Sequence, residues 1–174
     1  MNRVDPKTKT LVTTTFFILA GILGSLFRIN NIHDSLPLLI FYIVLTLNTY
    51  YSLKLFTEIV GKHTLLQDIV DGLLVIAYVS LAYTFNSPKL FIYIVIILFY
   101  IACLKYVLLI GRLNEPRLIR KKIIIDCSGL LMGVVALILL YSNSYFIASW
   151  FLATIFTLAN IFLLFVWPMY KLDR

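Results

Sequence analysis

Six apolar runs, at about 11–29, 36–57, 65–85, 89–112, 119–141 and 145–169, account for most of the 174-residue chain. Each approaches or exceeds the roughly 20 residues that an α-helix needs to cross a hydrocarbon core about 30 Å thick. Inside that core water satisfies no backbone group, and a helix satisfies its own. The runs therefore predict an all-α fold: a polytopic bundle of six transmembrane helices, forming one domain over residues 1–174. Composition agrees, with 61% hydrophobic and 13% charged residues, against about 25% charged in a soluble domain. No connecting stretch is long enough to fold alone, so an energy source or output domain is expected on another chain. The polar segment 1–10 and the lack of a small-residue cleavage site after the first run predict a retained helix instead of a cleaved signal.

Charge placement predicts an orientation. Three connections are tight and hold turn formers: Asn30-Asn31 with Pro37 following, Asn86-Ser87-Pro88, and Asn143-Ser144. The other two are longer and charged. Arg3, Lys7, Lys9, Lys54, Lys62, Lys105, Arg112, Arg117, Arg120, Lys121, Lys122, Lys171 and Arg174 fall on one side, thirteen of the fifteen Lys and Arg; Arg28 and Lys89 fall on the other. Lys and Arg accumulate in cytoplasmic loops, which predicts both termini in the cytoplasm and a bacterial or archaeal cell membrane as the setting. Tyr141, Tyr145 and Trp150 then flank the outer surface, with Trp167 and Tyr170 at the inner one. The formal charge of +7 is read as topogenic charge with affinity for anionic lipid, and no nucleic-acid partner is expected.

Polar groups within membrane helices are costly, which makes them candidates for function. Gln67, Asp68 and Asp71 share one face of helix 3 by their spacing, and Tyr78 continues it. One reading is a cation or proton site near the cytoplasmic mouth, since adjacent carboxylates suit proton exchange. The other is stabilisation of two acids by the positive end of the helix dipole. Asp126 on helix 5 has Lys122 four residues earlier, so a local ion pair competes with a shared vestibule for Asp71 and Asp126. Lys105 is placed to neutralise one of these acids or to snorkel to the interface. Arg28 is expected to snorkel at the outer end. Asn48 and Asn160 are expected to join helices through their amides, with ligand contact as the alternative. Gly21 and Gly24 on helix 1, and Gly129 and Gly133 on helix 5, form small-residue faces for close packing. These faces serve either the interior or a second copy or partner membrane subunit.

Other chemistry is thinly represented. Cys103 and Cys127 lie in helices, where they are expected to be buried thiols, and His33 and His63 lie in different loops. Neither a Cys/His cluster with metal-ligand spacing nor a Ser/His/Asp set, HExxH or phosphate loop is present. No catalytic residue, metal or cofactor is assigned. Asp68-Ile69-Val70-Asp71-Gly72 resembles the opening of the CDP-alcohol phosphotransferase motif, which implies a metal held by aspartates. That motif continues with Ala-Arg and two more aspartates. Here Val75-Ile76 replaces Ala-Arg and no acid follows on helices 3 or 4, so half the ligands are missing.

A shift of 57 residues aligns Glu58 with Glu115, Asp71-Gly72-Leu73-Leu74 with Ser128-Gly129-Leu130-Leu131, and Asn86-Ser87 with Asn143-Ser144. The chain thus reads as three helical hairpins, either repeated or merely similar in length. The outline resembles mitochondrial carriers without their signature of Pro, acid and base. Size, topology and the small-xxx-small helix 1 are similar to the six-helix binding components of energy-coupling-factor transporters. Three functions follow, in order: a small transporter or channel component for an ion or small molecule, a sensor or assembly subunit acting through partner chains, and a membrane-embedded enzyme of lipid metabolism.

Overall fold

The computed structural model describes residues 5–60, 64–111, 115–142 and 145–166. Its elements are α1 (Pro6–Arg28), α2 (Ile32–Ile59), α3 (Leu65–Tyr83), α4 (Pro88–Leu109), α5 (Pro116–Tyr141) and α6 (Tyr145–Ile161), the last prolonged by a π-helical turn, Phe162–Val166. All six helices are long and apolar enough to span a membrane, and no more than 39% of the residues in any span are buried within the bundle. The rest of that apolar surface is suited to lipid. The chain is an all-helical integral membrane protein.

The helix starts have local causes. Pro6, Pro88 and Pro116 open α1, α4 and α5, at the first helical position where a missing N–H costs nothing. The Asn31 side chain caps α2 by accepting a hydrogen bond from the His33 backbone N–H at 3.1 Å. Thr64 and Gln67 form a capping box at the start of α3. Two helices begin well before their apolar runs, α1 at Pro6 and α2 at Ile32. An apolar run marks only the part suited to hydrocarbon, whereas the helix continues through its polar end. Pro37 lies inside α2, buried, and not in the preceding turn. The Asn31 cap marks that boundary.

Cross-helix bonds show that successive helices alternate in direction. At one end, Thr10 and Thr57 hydroxyls are 3.2 Å apart and Ser52 and Tyr106 hydroxyls 2.8 Å apart. At the other, Ser35 Oγ donates to the Phe85 carbonyl at 2.8 Å, and the Arg28 guanidinium sits 3.4 Å over the Tyr83 ring. The first end carries Lys7, Lys9, Lys54, Lys105, Arg117, Arg120, Lys121 and Lys122, and is called the basic end below; Arg28 and Lys89 belong to the opposite end. Arg3, Lys62, His63, Arg112, Lys171, Arg174, the Asn143-Ser144 turn, Trp167 and Tyr170 lie outside the described residues.

α1 packs on α2, α3 on α4, α4 on α5 and α5 on α6; α1 also meets α3 and α2 meets α6, whereas the consecutive helices α2 and α3 form no major interface. Aromatic rings fill the centre: Phe41 and Phe156 have centroids 4.5 Å apart, and Phe99 lies 5.8 Å from Phe156. A smaller cluster of Leu55, Phe56, Tyr106, Leu109 and Ile119 closes the basic end. All four small-residue positions face inward. A Cβ at Gly21 would strike Tyr42, one at Gly24 the Ala82 backbone, one at Gly129 Phe99, and one at Gly133 Ile96. These faces are used in bringing α1 onto α2 and α3, and α5 onto α4.

Cys103 is buried, but Cys127 is exposed, which corrects the expectation of two buried thiols. Their sulfurs lie 3.3 Å apart across α4 and α5. Copper(II)-phenanthroline should therefore oxidise them to an intrachain disulfide, taking two electrons and releasing two protons. The expected readout is loss of both alkylatable thiols with the chain still monomeric on a non-reducing gel. Retention of both thiols would contradict the α4–α5 register.

Candidate functional site

Toward the basic end, α1 to α5 enclose a cavity of about 290 Å³, near the lower end of the range for small-ligand sites. α3 brings Asp68, Asp71 and Tyr78; α4 brings Lys105 and Tyr106; α5 brings Lys122 and Asp126; α2 brings Asn48, Thr49 and Ser52; and α1 brings Lys9 and Phe17. Three carboxylates and three ammonium groups thus line one space within the bundle.

Two ion pairs organise it. Lys105 Nζ lies 2.7 Å from Asp71 Oδ1, with the two side chains 18% and 31% exposed. Lys122 Nζ donates to Asp126 Oδ1 at 2.6 Å, and here the exposures are only 6% and 2%. The first pair is the more exposed of the two; the second is almost fully buried in the cavity wall. The Lys122 ammonium also sits 5.3 Å from the Tyr106 ring centroid, on the electron-rich face that attracts cations. The Tyr106 hydroxyl is held by Ser52 on α2. Asp126 Oδ2 is buried without a hydrogen-bond partner among the described residues. A buried carboxylate oxygen of this kind is an acceptor available to a proton or to a donor group on a ligand.

The wall opposite is aromatic and hydroxylated. Tyr78 hydrogen-bonds with the Thr49 hydroxyl and donates to the Leu45 carbonyl at 3.4 Å. Phe17 stacks on the Tyr78 ring with centroids 4.1 Å apart. α3 and α5 do not form a major packing interface; both pack on α4. Asp71 and Asp126 therefore share a vestibule across the cavity, not through a direct packing of their helices.

The remaining sequence candidates separate. Asn48 is buried and lines the cavity. Gln67 is tied to the helix start, where its Oε1 accepts from the Thr64 backbone N–H at 2.9 Å, and it lines a side pocket of about 40 Å³ with Asp71 and Lys105. Asn160 does not join the site. Its Nδ2 donates to the Phe156 carbonyl one turn back, and α6 contributes nothing to the cavity. Arg28 stacks on Tyr83 instead of simply snorkelling.

The sequence assigns Lys9 to the basic rim and offers Lys122 as the local partner of Asp126, but it does not single out Thr49, Ser52 or Tyr106. The Ser52–Tyr106 bond joins residues 54 apart in sequence, and nothing local signals it. Among the described residues, no three His, Cys, Asp or Glu side chains group to hold a metal ion. Within Asp68–Gly72, which resembles the phosphotransferase opening, Asp71 is engaged by lysine. No family model matches the chain, and neither a curated protein nor a solved structure does.

Proposed function

We propose that the protein is a small transporter or channel component for an ion or small polar molecule, and that the cavity between α1 and α5 is its site. The observation that carries this reading is the convergence of three acids and three lysines on one cavity inside a membrane bundle. Ionisable groups within membrane helices typically mark ion or proton pathways. The balance of charge favours proton exchange or a solute bearing both signs over a bare cation, because Asp71 and Asp126 each already have a lysine.

The orientation is part of the proposal. The excess of Lys and Arg at the basic end supports cytoplasmic termini, so the cavity lies on the cytoplasmic half. The three hairpins as repeats also belong here, supported by the 57-residue spacing of Asp71-Gly72-Leu73-Leu74 and Ser128-Gly129-Leu130-Leu131. The reading as a sensor or assembly subunit has lost its main support, since Gly21, Gly24, Gly129 and Gly133 all meet neighbouring helices of the same chain.

The test is reconstitution into liposomes with an internal pH dye, an imposed proton or cation gradient, and comparison of the native chain with Asp71→Asn/Asp126→Asn. The expected outcome is proton- or cation-coupled flux in the native protein and none in the double variant, with equal protein incorporation. Equal flux from both would remove the acids from the mechanism.

A further inference from the structure

The lipid-facing side of α1 and α2 carries a groove that shares no lining residue with the polar cavity. Its deep part, about 520 Å³, is lined by Ile18, Gly21 and Ile22 of α1 and by Tyr42, Ile43 and Leu47 of α2. It continues toward the basic end into a second hollow of about 240 Å³, which shares Leu11 and Tyr50 with the first and is bordered by Lys7, Lys54, Thr57 and Glu58. The groove is therefore apolar along its length and cationic at one tip.

Its shape and polarity have identifiable causes. Gly21 lets the Tyr42 ring pack directly against α1, and the two residues form the floor of the groove between the helices. Thr14 and Thr46 also line it, and their hydroxyls are spent on the carbonyls one turn back, Thr10 and Tyr42. They present methyl groups, so a wall with several hydroxyl residues is apolar in effect. From Leu11 to Ser25 the groove runs along α1 for about 21 Å at 1.5 Å per residue, more than half of a hydrocarbon core about 30 Å thick. That suffices for one acyl chain of one leaflet. At the tip, Lys7 and Lys54 form no ion pair with a described residue, and with Glu58 they leave one net positive charge.

We propose that this groove is a site for a single anionic phospholipid. One acyl chain lies along Gly21 and Leu47, and the phosphate is held between Lys7 and Lys54. Glu58 at the same tip disfavours a headgroup of high negative charge and suits a lipid of one net negative charge, such as phosphatidylglycerol. The cationic tip, matched to an apolar slot of acyl-chain length, is what favours lipid over a partner helix.

The test is native mass spectrometry of the whole chain, released from phosphatidylcholine nanodiscs containing a minority of phosphatidylglycerol. The native chain should retain one phosphatidylglycerol. Lys7→Gln/Lys54→Gln should lower that retention about thirtyfold, at roughly fivefold per lysine, whereas Lys7→Arg/Lys54→Arg should keep it. Leu47→Trp, at a position 51% exposed, should displace the lipid by filling the slot without touching the core. Undiminished phosphatidylglycerol in the Gln variant, or equal retention of phosphatidylcholine, would overturn the proposal. So would a dimer that Leu47→Trp dissolves, since the groove would then seat a second copy.

Discussion

Lys122→Ala should lower the stability of the folded bundle by about 3–5 kcal/mol, the range for breaking a buried ion pair on one side. Lys122 Nζ donates to Asp126 Oδ1 at 2.6 Å, and both residues are almost entirely buried. Asp126 Oδ2 already has no hydrogen-bond partner among the described residues. Removing the ammonium leaves the carboxylate without its donor in an environment that cannot hydrate it. Replacing both members should be far milder: Lys122→Met/Asp126→Leu removes the attraction and the desolvation cost together, and is expected to be near neutral or stabilising. Denaturant or thermal unfolding in mild detergent measures the difference. If the double variant loses as much as Lys122→Ala, the position matters through packing and not through charge. The same double variant should abolish proton- or cation-coupled flux if Asp126 serves transport. The pair would then be retained for function at little or no gain in stability.

Gly24→Ala is the second large effect. A Cβ at Gly24 would lie 2.3 Å from the Ala82 carbonyl oxygen and 2.8 Å from its carbon. Backbone atoms of a packed helix cannot swing aside as a side chain can, so α1 and α3 must separate. The expected cost is about 1–3 kcal/mol, as for an overpacked core. α1 also carries Lys9 and Phe17 to the cavity, so the same substitution should weaken any ligand bound there. Gly72→Ala is the matched control. It sits on α3 with nothing within 4 Å of its missing Cβ, and alanine should there gain up to about 1 kcal/mol from helix propensity. Opposite signs for two glycine-to-alanine changes, read from unfolding midpoints, would establish the α1–α3 approach. A neutral Gly24→Ala would show that the helices are not this close.

Parts of the site were legible in one helix. Lys122 and Asp126 are four residues apart, so their pairing follows from helical geometry alone. Gln67 was legible too, but in a different sense. Thr64-Leu65-Leu66-Gln67 has the spacing of a capping box, and the structure ties Gln67 to that local bond. Its helical spacing also puts it beside Asp68 and Asp71, but the cap bond holds its side chain at the helix start. Asp71 and Lys105 are 34 residues apart and meet because the α3–α4 hairpin sets their register. Asn160 has a depth similar to that of Asn48, yet only Asn48 reaches the cavity; helix rotation decides between them.

The number of helices, their approximate limits and the crowding of bases at one end are properties of the sequence itself. Hydrocarbon forces each apolar run to satisfy its own backbone, and that requirement is local. Which face of each helix turns inward is not local. In lipid an outward leucine is as well solvated as an inward one, so apolar pattern carries little rotational information. Close approaches at Gly21, Gly24, Gly129 and Gly133, and bonds such as Ser35 to Phe85 and Lys105 to Asp71, lock the rotations. Only those tertiary contacts gather Lys9, Asp71 and Asp126, from three separate helices, around one cavity.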